Sequence, residues 1–119
     1  MHPLVNSFRY AVKGIVTAVK EQRNIRIQVA SALCVIALGF LFSIERWEWC
    51  VALLTIGLVI AAEMANSAIE SLVDLVQPAY HPLAGKVKDL AAGAVLVTAI
   101  TAIVTGLLVF GRHVALLFP

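Results

Sequence analysis

A chain of 119 residues, 61% hydrophobic and only 13% charged, cannot clothe a globule in water, because soluble domains carry roughly 25% charged residues. Its mean hydropathy of +0.96 points to a bilayer, and its net charge of +2 gives no reason to expect a nucleic-acid partner. The length allows one domain, residues 1–119, with room for about three membrane spans of some 20 residues each.

In chain order, residues 4–22 come first. Leu4, Phe8, Ala11, Val12, Ile15 and Val19 share one arc of a helix wheel, and Arg9, Lys13, Thr17 and Lys20 share the opposite one. That pattern predicts an amphipathic helix lying in the headgroup region. Residues 1–26 hold no uninterrupted apolar core of the kind a signal peptide has. A first span follows at about 25–44, then a very short turn, IERWEW, whose Trp47 and Trp49 suit an aromatic belt. The second span runs over about 49–76 and stops before Pro78, which cannot continue the helix ladder. QPAYHPLAGK (77–86) reads as a loop, and the third span covers about 89–110. On that span Ala94, Thr98, Ala102 and Gly106 make a smooth ridge for close approach of another helix. Cys34 and Cys50 form no CxxC pair and read as packing residues.

The fold class expected is therefore all-α: a surface helix plus three transmembrane helices. Of the nine basic residues, Arg9, Lys13, Lys20, Arg23, Arg26, Lys86 and Lys88 fall on one side of such a bundle, leaving Arg46 and Arg112 on the other. The positive-inside rule then puts the N-terminus in the cytoplasm.

Chemistry concentrates in AEMANSAIESLVDL, residues 62–75. Glu70 and Asp74 lie seven and eleven positions after Glu63, within about 20° of it around a helix, and Asn66 and Ser67 flank that face. Each carboxylate at mid-membrane depth costs about 2.5–3.5 kcal/mol, so three on one helix imply an ion path, a proton relay or a catalytic site. A polar seam that glues helices together is the bland alternative, and snorkelling near the helix end accounts for Asp74 alone but not for Glu63. Lys88, Asp89 and Glu21 reach the same inner level. Oxygen ligands beside a cation suit magnesium and phosphate. No Walker A loop supplies the phosphate site, since Gly85-Lys86 is followed by Val87. His2, His81 and His113 have no ligand spacing, and His81 reads as a cap or a lining residue.

The sequence resembles the small prokaryotic lipid kinases, the family of diacylglycerol kinase and undecaprenol kinase. The resemblance rests on Phe8-x-x-Ala11-x-x-Gly14, KEQRNIRIQ (20–28), the block from Glu63 through Asn66, Ser67, Glu70 and Asp74, and YHPLAGKVKDLAAGAVL (80–96). It implies phosphoryl transfer from ATP, with Mg2+, to a lipid hydroxyl in a bacterial inner membrane by a homotrimer. Carried over, it makes Glu63 the general base with Asn66 in support, and Glu70 and Glu21 the metal residues. Tyr10, Lys88, Asp89, Glu70 and Glu21 become the nucleotide contacts. One departure stands out: where the family has its second metal-binding glutamate, this chain has Gln22, next to Glu21. The AAGAVL and HPLAGK segments look closer to the undecaprenol kinase branch, so undecaprenol is the expected acceptor, with diacylglycerol as the alternative. An ion or proton transporter built on Glu63 and Asn66 is a more distant reading, because the outer halves of the spans look almost purely apolar.

Overall fold

Four apolar or amphipathic segments separated by polar breaks fold as four helices in a computed structural model that describes residues 2–118. They are α1 (Pro3–Glu21), α2 (Arg23–Leu41), α3 (Arg46–Val76) and α4 (Pro82–Ala115), and no strand occurs among the described residues. Three of them, α2, α3 and α4, are long and apolar enough to cross a membrane. Their large side chains, Leu54 and Leu108 among them, are exposed along much of their length, as a lipid-facing surface requires. The chain is an all-α membrane protein.

The break between α1 and α2 is a single residue. Gln22 takes an extended conformation, with φ −106° and ψ 110°. Arg26 reaches back from α2 and donates to the carbonyls of Val19 and Lys20 at 3.0 and 2.8 Å. Those carbonyls have no partner within their own helix, so the guanidinium satisfies the C-terminal turn of α1. Ile25, 1% exposed, fills the inside of the elbow.

α2 ends at Leu41, three residues before the expected Ile44. Ser43 adopts φ 51°, and the amides of Ser43 and Ile44 donate to the carbonyls of Phe40 and Gly39. This pair of bonds is the Schellman termination, with the left-handed residue just past the helix. Ile44 is buried there. Gly39 is required for another reason: a Cβ on it would meet the Trp49 ring at 2.6 Å. Trp49 lies across α2 and also meets the Phe40 ring at a tilt of 54°, ring centroids 4.9 Å apart. Trp49 is thus a packing residue, and only Trp47 stays exposed in the manner of an interfacial belt.

α3 begins three residues earlier than expected, at Arg46, with Glu45 and Glu48 forming a reciprocal capping box. Its 31 residues span about 46 Å, beyond the roughly 30 Å of bilayer hydrocarbon. α4 starts at Pro82, well ahead of Asp89, and continues past Gly111 to Ala115. The expected loop therefore shrinks to residues 77–81. Pro82 occupies the first turn, where a missing N–H costs nothing, and His81 Nδ1 accepts the Leu83 amide at 3.1 Å as the helix cap. Both cysteines are free and exposed on the protomer, outside its core.

α3 packs most extensively on α4 and less so on α2, while α1 leans on α2. The ridge on α4 is only partly a packing surface. A Cβ on Gly106 would meet nothing within 4 Å, and Ala102 and Gly106 face a cavity.

Candidate active site

α3 carries the carboxylate stripe, and the structure divides it by burial. Glu63 is 5% exposed and Asn66 8% exposed, whereas Glu70 and Asp74 are exposed. Asn66 Nδ2 donates to Glu70 Oε1 at 3.3 Å, one turn further along the helix. Asn66 Oδ1 is buried with no partner. Among the described residues, no cation pairs with Glu63. A buried acid without a counter-ion and a buried amide oxygen without a donor are both costly.

The remaining predicted residues surround this face unequally. Lys88 Nζ forms an ion pair with Asp74, joining the C-terminal turns of α3 to the N-terminal turns of α4. Both side chains are more than a third exposed, so the pair contributes only about 0–1 kcal/mol. A phosphate competes easily for that lysine. Asp89, next along, is exposed, as is Tyr10 on α1. Glu21 and Gln22 line a cavity of about 270 Å³ between α1 and α3, opposite Ser67 and Ser71. Ser67 sits about 40° from Glu63 around α3, so this cleft borders the carboxylate face.

No three His, Cys, Asp or Glu side chains converge as a metal cage among the described residues. Magnesium does not need one, because it keeps several waters and takes one or two carboxylates together with substrate phosphates. The exposed Glu70 carboxylate, next to the unpartnered Asn66 oxygen, is a donor set of that kind.

A second polar cluster was not anticipated from the sequence. Glu48, fully buried in the first turn of α3, accepts from Arg112 Nη2 at 2.9 Å, His113 Nε2 at 3.0 Å and the Glu45 amide at 3.0 Å. Arg112 also lies 3.5 Å from Glu45, and its guanidinium sits 5.9 Å from the centre of the Trp47 ring. The end of the bundle expected to be apolar thus holds an ion cluster. Its signal in the sequence was two acids opening one helix and two bases closing its antiparallel neighbour, an arrangement that also complements both helix dipoles.

The comparisons with known proteins cover nearly the whole bundle. The family model described as prokaryotic diacylglycerol kinase matches residues 9–110. An undecaprenol kinase of Bacillus subtilis is 41% identical over 104 residues, covering 87% of this chain and 85% of the relative. A diacylglycerol kinase of Synechocystis is 45% identical over 104 residues, covering 87% of this chain but 59% of that longer protein. A diacylglycerol kinase of Haemophilus influenzae is 32% identical over 108 residues, covering 90% of this chain and 92% of the relative.

Proposed function

Since the chain belongs to the prokaryotic diacylglycerol kinase family and is a membrane lipid kinase, we propose that it phosphorylates undecaprenol with ATP at the cytoplasmic face of a bacterial inner membrane. The observation that carries the site assignment is the unpaired, buried Glu63 beside the orphaned oxygen of Asn66. Glu63 takes the proton of the lipid hydroxyl, the alcohol oxygen attacks the γ-phosphorus, and the bond from phosphorus to the β,γ-bridging oxygen breaks to release ADP. Asn66 orients Glu70 through its amide hydrogen bond. Glu70, with Glu21 from the elbow, would hold magnesium, which when bound neutralises charge on the β- and γ-phosphates. Lys88, released from Asp74, screens the phosphates, and Asp89 and Tyr10 complete the nucleotide side.

The basic residues of α1 and of the inner ends of α2 and α4 support a cytoplasmic N-terminus. Assembly as a homotrimer, with sites between neighbouring subunits, belongs to the same reading. The Bacillus subtilis relative, matched over most of its length, supports undecaprenol as the acceptor. Diacylglycerol is the second reading, supported by the names of the other relatives. Both alcohols present a primary hydroxyl at the interface, so one site chemistry serves either. A transporter is disfavoured because α3 carries no side chain more polar than Thr55 between Cys50 and Glu63, and Thr55 is satisfied by the Val51 carbonyl. Transfer of labelled phosphate from ATP by the purified protein in mixed micelles, with each lipid offered separately, tests the assignment. The expected result is faster transfer to undecaprenol, and faster transfer to diacylglycerol would reverse it.

A further inference from the structure

α1 alone among the four helices buries no residue, although a helix draws most of its stability from the packing of one face. At 100° per residue its side chains divide into three faces about 120° apart. Leu4, Phe8, Val12, Ile15 and Val19 make an apolar face, exposed on the protomer. Gly14, Thr17, Ala18 and Glu21 line the cavity against α3, and Tyr10 lies within about 20° of Glu21 on that side. Arg9, Lys13 and Lys20 make the third face, within about 40° of one another and strung along about 16 Å of helix. All three are exposed, and among the described residues none pairs with a carboxylate. Arg23, at the start of α2, is also exposed and unpaired.

A helix seated by its apolar face in the acyl region is still free to roll about its own axis. Here α3 stands on one flank and a row of uncompensated cations on the other. The surface that matches such a row is anionic. We infer that the basic face of α1 docks on the headgroups of anionic phospholipids in the leaflet where α1 lies. That contact fixes the roll of α1, which turns Tyr10 and Glu21 toward α3. A zwitterionic surface carries no net charge and leaves the roll to the apolar face alone. The apolar arc makes α1 a surface helix, and the unpaired cations make it selective for lipid charge. The consequence for transfer rests on the kinase reading, in which Tyr10 and Glu21 meet the nucleotide, whereas docking itself does not.

The test compares the full-length protein in nanodiscs of phosphatidylcholine with the same protein in equal parts phosphatidylcholine and phosphatidylglycerol. Hydrogen exchange of the α1 amides reads docking, and the KM for ATP reads its consequence. Each cation near an anionic surface favours docking about fivefold. Protection of α1 should therefore rise about 10–100-fold in the anionic discs, while that of α3 and α4 stays the same. Added salt should weaken the rise, because it shortens the screening length. Arg9→Gln, Lys13→Gln and Lys20→Gln together should abolish it, with exchange in α3 and α4 showing that the bundle is folded. Lys13→Arg with Lys20→Arg should retain it. Equal α1 protection in the two discs, or a rise that survives in the triple glutamine variant, overturns the inference. Protection that ATP confers equally in neutral discs also overturns it, because the basic face would then hold nucleotide phosphates. The KM for ATP should be about three- to tenfold lower in the anionic discs. An unchanged KM beside the expected exchange overturns the link to Tyr10 and Glu21, and a wild type inactive in both discs removes the kinase reading itself.

Discussion

Two glutamates on α3, Glu48 and Glu63, lie about 22 Å apart along one helix axis and live in opposite circumstances. Glu48 is fully buried and saturated: arginine, histidine and a backbone amide all donate to it. Glu63 is nearly as buried, with no cation on it and an amide oxygen left bare one turn away. The saturated charge ties the start of α3 to the end of α4, and its cost is offset within the protomer. Glu63 has no such partner among the described residues of the protomer, which leaves it open to what binds or to a neighbouring subunit. Burial alone does not distinguish the two acids; the inventory of their partners does.

Substitutions can break this contrast, and the largest effect is expected at Glu63. Glu63→Gln keeps the shape and removes the proposed base, so labelled transfer should fall by about 10²–10⁴-fold, while unfolding in denaturing detergent should come no earlier. Asn66→Ala should cost less, about 10–100-fold in transfer, as expected for a group that orients a metal-binding carboxylate. Its signature would be a raised magnesium requirement in a metal titration. Asp74→Asn sharpens the comparison at the exposed rim. Releasing Lys88 from so weak a pair should change the KM for ATP by less than about fivefold. Glu48→Gln should leave transfer per folded protein unchanged, while an unfolding titration shows a clear loss of stability, because Arg112 and His113 lose the carboxylate charge they share.

Much of this was legible in the sequence. Three apolar runs broken at Pro78 and at IERWEW defined the spans, and the seven- and eleven-residue spacings placed the acids on one face of α3. The start of α4 was not legible, because Pro82 reads as a breaker unless His81 is known to cap a helix that opens on it. Nor was the split of the stripe into buried and exposed members, since a wheel gives direction and not the reach of neighbouring helices. The Glu48 cluster joins residues 64 and 65 positions apart, a pairing that exists only once α3 and α4 lie side by side. Trp49, read as an interfacial anchor, turns inward because Gly39 leaves room for its ring.

One measurement tests the contrast most directly: Glu48→Gln and Glu63→Gln purified side by side, each assayed for labelled phosphate transfer and for unfolding in the same detergent. The account predicts a crossed result, with Glu63→Gln stable and inactive and Glu48→Gln active and destabilised. Retained transfer in Glu63→Gln, or loss of both properties together in each variant, would contradict it.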